Sequence, residues 1–382
     1  MDWPLVPLGE VISHRKDFIE IAPDETYARC RVQTSARGIV LRDRVPGAEI
    51  KTKRQQVCRT GEFLVAEIDA KLGGYGIVPM ELDGAIVSSH YFLFEIDEAK
   101  LHRGFLDWYA RTPDFLEQVK ARGSTNYAAI RPSNVLGYVI PLPPLAEQQR
   151  IVARLDRVAG LVRARAEAAA AMEADLQAML ARAFARCIDA APRRPMAQVA
   201  PLIRRPVEIE PDGAYPELGV RSFGRGTFHK PVLPGSEVGT KKLFEIAPGD
   251  LLFNIVFAWE GAVAIAQPAD SGRVGSHRFL TCVPEPATAT ADFLLFYFQT
   301  PEGLQRLGEA SPGGAGRNRT LGLKKLEAIE VPVPPLETQR WFDRLQAKAR
   351  RIRTIRAASA RDADTLIPAL LHEVFGAGDR AA

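Results

Sequence analysis

The sequence predicts an α+β architecture: two mixed α/β globular segments separated by two long helices, laid out as a pseudo-two-fold tandem duplication. Three observations predict it. A proline-led polar segment occurs twice, as Pro143-Pro144-Leu145-Ala146-Glu147-Gln148-Gln149-Arg150 and as Pro334-Pro335-Leu336-Glu337-Thr338-Gln339-Arg340. Each copy is followed by a long stretch with helical periodicity. The two segments upstream of them resemble one another along their length.

The prolines hold the chain extended and stop any upstream helix from running through. After Arg150, the residues Ile151, Leu155, Val158, Val162, Arg165, Ala169, Met172, Leu176, Met179 and Ala183 alternate at spacings of four and three. That is a heptad seam, weakened at Gly160, and it predicts a helix of about 35 to 40 residues, roughly 55 Å long. The second copy carries the register through Trp341, Leu345, Ile352, Ile355 and Leu366, interrupted by Lys348, Ser359 and Asp362 and crossed late by Pro368. Two such helices in one chain are expected to pack on one another. Glu147, Gln148, Gln149 and Arg150 match Glu337, Thr338, Gln339 and Arg340, with the second copy one residue shorter. Being too polar for core packing, these residues are expected to dock a partner or cap the helix.

The duplication extends through the globular segments. Val45-Pro46-Gly47-Ala48-Glu49-Ile50 matches Leu233-Pro234-Gly235-Ser236-Glu237-Val238 at an offset of 188, the step from Gly47 to Gly235. The same offset pairs Tyr27 with Tyr215, Arg37-Gly38 with Arg225-Gly226, Gly61-Glu62 with Gly249-Asp250, and Thr112-Pro113 with Thr300-Pro301. Ser89-His90 matches Ser276-His277 after a one-residue slip. A period this long means domain duplication rather than a solenoid. Phe63 to Ala66, Ala85 to Val87, Tyr91 to Phe94, Leu251 to Phe253 and Arg278 to Thr281 read as buried strands bounded by turn residues. Arg103 to Arg111 and Asp292 to Gln299 read as core-packing helices. Gly123 to Tyr127 and Ser311 to Gly316 read as loops.

A length of 382 residues exceeds one ordinary core. The formal net charge of +4 suits a nucleic-acid partner without requiring one. The first residues lack a basic segment followed by an apolar one, so no secretory signal is expected. Leu251 to Ala266, the most apolar stretch, contains Asn254 and Glu260 and reads as paired strands rather than a membrane span. Cys30, Cys58, Cys187 and Cys282 have no CxxC spacing and are expected as reduced thiols in the cytoplasm.

Catalytic signatures are missing. Gly235-Ser236-Glu237-Val238-Gly239-Thr240-Lys241 has the wrong glycine spacing for a phosphate-binding loop, and no GxGxxG follows a strand. No Asp/Asn-Pro-Pro-aromatic tetrad, GxSxG or metal-spaced His pair occurs. Asp114, Glu117 and Lys120 have the wrong spacing for a nuclease set. The expectation is a non-catalytic chain with no metal or cofactor of its own. What recurs is a basic and polar group suited to phosphates and base edges. The first half offers Arg31, Gln33, Thr34, Arg37, Lys51, Lys53, Arg54, Ser89, His90, Asn126, Tyr127 and Arg131. The second offers Arg221, Ser222, Arg225, Lys241, Lys242, Ser276, His277, Arg278, Arg317, Asn318 and Arg319. Matched residues such as Arg37/Arg225 and Lys53/Lys241 would position DNA or hold the fold. Unmatched ones such as Gln33/Arg221 and Asn126/Gly314 would read bases.

These features resemble the specificity subunits of type I restriction–modification systems. Ile140-Pro141-Leu142-Pro143-Pro144-Leu145-Ala146-Glu147-Gln148-Gln149-Arg150-Ile151 is similar to the segment that opens the family's first long helix. Val331 to Arg340 is a near copy, and helix ends finishing in Phe184 and Phe375 also fit the pattern. The resemblance implies target-recognition domains at 1–142 and 190–333, with spacer helices at 143–189 and 334–376 forming an antiparallel coiled coil. It implies a bipartite double-stranded DNA target with a gap of unspecified bases. It also implies two methyltransferase subunits and two motor-nuclease subunits as partners, with S-adenosylmethionine, ATP and Mg bound by them. No membrane partner is implied. The competing expectation is a protein–protein scaffold that binds no DNA and uses the helices as a ruler.

Overall fold

The computed structural model describes residues 3–121, 129–314 and 319–376. It divides into two compact units, Met1–Ala169 with Ala357–Ala382, and Ala170–Arg356. Both crossings between the units fall inside long helices, which span Leu145–Ile188 and Leu336–Phe375. The second runs unbroken through Pro368.

In the first unit a five-stranded sheet has the order Phe18–Glu20, Arg54–Val57, Ile86–Val87, Thr26–Val32, Ile39–Pro46. Its strands are antiparallel except where Arg29 meets Ile86 in parallel. A four-stranded antiparallel sheet follows the order Ile12–Arg15, Tyr91–Ile96, Phe63–Ala66, Tyr75–Ile77. The second unit repeats the plan. Thr227–Pro234, Ala214–Val220, Val274–Ser276 and Leu243–Glu245 form one sheet, with Glu217 meeting Val274 in parallel. Val263–Ile265, Leu251–Asn254 and Phe279–Cys282 form the other, as the paired-strand reading of Leu251 to Ala266 expected.

The matched sequence stretches have matched structural reasons. A Cβ on Gly47 would lie 1.9 Å from the Ala22 carbonyl oxygen, and one on Gly235 would lie 1.8 Å from that of Glu210. The duplicated Pro-Gly is therefore a close chain crossing. The Tyr27 hydroxyl accepts from the Ala22 amide at 3.1 Å, and the Tyr215 hydroxyl from the Glu210 amide at 2.8 Å. Glu62 holds Arg15 and Asp250 holds Arg205, each through two nitrogens. Each Thr-Pro pair starts a second helix that the sequence reading missed. Thr112 caps Pro113–Ala121 and Thr300 caps Pro301–Glu309 through their hydroxyls. Asp114, Glu117 and Lys120 are thus residues of a packing helix.

Each long helix starts in the core of one unit and ends in the core of the other. In the first unit Ile151 and Leu155 are buried beside Leu371 and Phe375, with Phe375 5.3 Å from Phe105 between ring centroids. In the second, Leu180, Phe184 and Phe342 share a core, with Phe184 4.9 Å from Phe293 and 5.3 Å from Phe342. The helices are antiparallel within each unit. Arg154 meets Glu373 and Arg165 meets Ser359 in the first, while Arg353 meets Glu173 at 2.7 Å in the second.

The heptad seam needs correction. Met172 and Met179 are 50% and 41% exposed, whereas Leu180 and Phe184 are 5% and 3% exposed. A straight α-helix drifts about 20° per heptad, so after four repeats it has turned nearly one residue from a heptad register. In the second helix Trp341, Ile352, Ile355 and Leu366 are exposed, while Phe342, Ala349, Ala363 and Leu371 are buried. That shift begins at the first turn. The correct match is Gln148 with Gln339 and Ile151 with Phe342, so Thr338 stands opposite Glu147.

Two of the first-turn polar residues, expected to be too polar for core packing, are buried and structural. The Gln148 side-chain oxygen accepts from the His102 amide at 2.8 Å, and its nitrogen donates to the Lys100 and Pro143 carbonyls, each at 2.9 Å. Gln339 repeats this with the Thr290 amide at 3.0 Å and the Thr288 and Pro334 carbonyls at 2.9 and 2.8 Å. Both glutamines are fully buried. They tie each helix to its globular segment, and neither offers a docking surface.

Candidate nucleic-acid interface

Hairpin tips build the candidate site in each unit. In the first, Thr26–Val32 and Ile39–Pro46 are joined by a turn in which Ser35 and Ala36 have φ of 62° and 51°. The turn closes on itself through the Gln33 amide and the Gly38 carbonyl at 2.9 Å. It is held from below: the Ser35 amide donates to the Leu72 carbonyl at 2.6 Å, and the Ala36 amide to the Gly73 carbonyl at 2.9 Å. Gly73, at φ 79°, admits this approach because a Cβ there would lie 2.7 Å from the Ala36 nitrogen. The same loop gathers two further segments. The Glu67 amide donates to the His90 carbonyl at 2.8 Å, and the Ile130 amide donates to the Glu67 carbonyl at 3.0 Å.

Gln33, Thr34, Arg37, Ser89, His90 and Arg131 are therefore brought around one loop, Glu67–Gly73. His90 Nδ1 lies 2.6 Å from the Glu67 carboxylate, and Arg37 Nε donates to the Thr34 carbonyl at 3.2 Å. Arg131 is the N-cap residue of Pro132–Leu136, its amide donating to the Asn134 side chain at 2.8 Å. Arg31 is exposed on the strand leading into the tip. Lys51, Lys53 and Arg54 lie away from this cluster, near the hairpin base. Lys53 Nζ donates to the Gly47 carbonyl at 2.7 Å, and the Arg54 guanidinium sits 4.4 Å from the Phe18 ring centroid. An eight-residue strand such as Ile39–Pro46 puts base and tip roughly 20–25 Å apart. Asn126 and Tyr127 lie outside the described residues.

The second unit presents the same frame with other side chains. The Arg221 amide donates to the Gly226 carbonyl, the Phe223 amide to Glu260 and the Gly224 amide to Gly261, all at 2.9 Å. The Ile255 amide donates to the Arg278 carbonyl and the Leu321 amide to the Ile255 carbonyl, both at 2.8 Å. Arg278 thus takes the place of His90. This corrects the one-residue slip: the 188 offset continues through this loop, and Ser276-His277 corresponds to Ser88-Ser89. Arg221, Ser222, Arg225 and Arg278 gather here, with the Ser222 hydroxyl donating to the Glu260 carboxylate at 2.9 Å. The His277 amide donates to the Lys242 carbonyl at 3.0 Å, and Lys241, Lys242 and His277 are exposed; the Ser276 hydroxyl accepts from the Arg278 amide at 3.4 Å. Arg319 is occupied internally, donating to the Ser311 and Gly308 carbonyls at 3.1 and 3.0 Å with its guanidinium 5.0 Å from the Trp259 ring centroid. Arg317 and Asn318 lie outside the described residues.

Sequence reasoning missed the turn residues between the matched pairs, Ser35 and Phe223, and the exposed apolar Ile68 and Leu72 beneath the first tip. The 188 offset could have found Phe223, since it aligns an aromatic residue with a serine two places before a shared Arg-Gly. Among the described residues no group of three or more His, Cys, Asp or Glu side chains is placed to hold a metal ion. No described helix is long and apolar enough to cross a membrane. The four cysteines are free, with the Cys30 and Cys58 sulfurs 3.7 Å apart in the first unit's core.

No family model and no curated protein matches the chain. Solved structures do. One chain, from a structure of a type I restriction–modification system described for its complex assembly and conformational transition, aligns with a TM-score of 0.67 at 22% identity. The alignment covers 98% of each chain. The HsdS subunit from Thermoanaerobacter tengcongensis aligns with a TM-score of 0.56 at 22% identity, covering 98% of this chain and 97% of that one. The chain therefore shares the fold of these proteins, with its globular segments and long helices in the same plan.

Proposed function

We propose that this chain is the DNA-specificity subunit of a type I restriction–modification complex, with each unit reading one half of a bipartite duplex target. The observation that carries this reading is the pair of hairpin-tip clusters. Their backbone bonds are the same, while the side chains they display differ: Gln33 against Arg221, Thr34 against Ser222, His90 against Arg278. A shared frame with divergent tips suits two domains that grip the same kind of molecule and read different sequences on it. Cations at the tips and along the hairpins supply phosphate contacts. The full-length fold likeness supports the same assignment.

In this reading the chain carries out no chemistry. It selects the site, while two methyltransferase subunits bring S-adenosylmethionine for adenine methylation and two motor-nuclease subunits bring ATP and Mg. Selection of duplexes from a random pool, followed by binding across a salt series, tests it. A split consensus and a steep fall of affinity with salt are expected. A chain with no duplex affinity that still captures protein partners would be a scaffold, and the reading would fall.

A further inference from the structure

Phe223 stands at the tip of the second hairpin. Phe223 is 71% exposed and has φ of 61°. A bulky side chain in the left-handed region is strained, whereas glycine adopts it freely. The fold requires this conformation, because Ser35, its counterpart in the first unit, has φ of 62° and makes the corresponding amide bond. It does not require an aromatic ring. The ring makes little packing contribution at such exposure, so burial gives no account of Phe at this position.

The turn holds the backbone at Phe223. Its own amide and the next one are tied to Glu260 and Gly261, and Ser222 occupies the Glu260 carboxylate. One cation lies against the ring: the Arg225 guanidinium is 5.7 Å from the ring centroid, while exposed Arg221 is fixed to the Thr227 carbonyl at 2.7 Å and over the Phe228 ring at 4.8 Å. An exposed apolar ring on a turn that also carries exposed Arg221 and Arg225 complements a polyanion whose interior is stacked aromatic faces. An apolar pocket on a protein would not call for exposed cations along the same turn.

We propose that Phe223 is a wedge that enters the DNA half-site of the second unit and unstacks a base step, while Arg225 holds an adjoining phosphate. This rests on the DNA-reading function proposed above and deepens it. The first unit, with Ser35 at the same place, carries no such wedge at its tip, so the two half-sites are deformed unequally. Wedge insertion of this kind makes the flexibility of the step part of the recognition.

The test uses the full chain and a duplex carrying the bipartite site selected by that chain, with 2-aminopurine placed in each half-site in turn. The wild-type chain is expected to raise the fluorescence in one half-site only. Phe223→Ser, which copies the first unit, should abolish that rise and weaken binding about ten- to a hundredfold, the range expected for losing one aromatic–base stack. The salt slope should stay unchanged, because the phosphate contacts remain. Phe223→Trp should keep the signal. Phe223→Gly should behave as Phe223→Ser while unfolding no earlier than wild type, which separates loss of contact from loss of fold. Unchanged affinity and fluorescence in Phe223→Ser would overturn the wedge. So would unchanged duplex binding together with loss of a co-purifying methyltransferase subunit, which would assign the ring to a protein contact. A wild-type chain without duplex affinity would remove the underlying function and the wedge with it.

Discussion

Gln148 and Gln339 show how far single residues could be read. The repeated Pro-Pro-Leu was visible, yet a glutamine in a helix first turn has the same composition signal whether it faces water or three backbone groups. Only the three-dimensional return of Lys100–His102 and Thr288–Thr290 to the helix start makes these side chains structural. Replacing either with Ala leaves a buried amide and two carbonyls without these partners, and each such group costs about 1–3 kcal/mol. Gln148→Ala or Gln339→Ala should therefore lower the thermal midpoint, measured by circular dichroism, far more than Gln149→Ala or Arg340→Ala at the exposed neighbouring positions. Equal effects would show that the buried bonds contribute nothing. Asp343 makes a second residue-scale prediction. Burial, helped by nearby Asp292, raises its carboxyl from 3.8 to about 6. A raised folded value means that the stability it confers is present below about pH 4 and is lost as pH rises through 6. Asp343→Asn should thus gain stability over wild type as pH increases from 4 to 7, by at most about 3 kcal/mol and less after solvent screening. Denaturant midpoints across that range check the sign.

At the scale of elements, the strands and the two long helices were legible because their signals are local: alternation, turn residues and sustained periodicity. The facing side of the helices was not legible. A 3.5-residue and a 3.6-residue period agree over two turns and separate by nearly one position after eight. Alanine-rich sequence from Ala166 to Ala171 gives no bulky residue to arbitrate between them. The second half of the first helix also packs against the aromatic residues of a globular core, which no pairwise helix pattern encodes. The observed phase makes a sharp prediction. Phe184→Ala removes a side chain packed against Phe293, Phe296 and Phe342 and should cost about 3–5 kcal/mol. Leu180→Ala should cost about 2–5 kcal/mol. Met172→Ala and Met179→Ala, at exposed positions, should change stability by about 0.5 kcal/mol or less. Chemical denaturation of the four variants decides it, and the opposite ranking would restore the heptad seam.

At the scale of the whole molecule, duplication was the most legible feature, because it is a property of the sequence compared with itself and needs no energetics. The sites were less so. The 188 offset paired the hairpin tips, but the loops that gather Ser89, His90 and Arg131 onto the first tip approach it through backbone hydrogen bonds that leave no side-chain signature. The residues proposed to read DNA in each half lie within one compact unit, and the chain crosses between units only inside the long helices, at Ala169–Ala170 and Arg356–Ala357. On the proposed function, reading and spacing are therefore separable in the chain. Four residues inserted at each crossing add roughly 6 Å to each helix, comparable to one or two base pairs at about 3.4 Å each along a strand. Inserting into both helices keeps the antiparallel contacts of each unit intact, since neither unit's own pairs are split. Four residues also complete slightly more than one helical turn, so the added phase is about 40°, close to the twist of one base pair. On the proposed function, the expected outcome is a longer gap of unspecified bases with both half-site sequences unchanged, measured by methylation mapping of the variant assembled with the methyltransferase subunits proposed above. An active complex with the original gap would refute the helices as the ruler, and altered half-sites would refute the separation of reading from spacing.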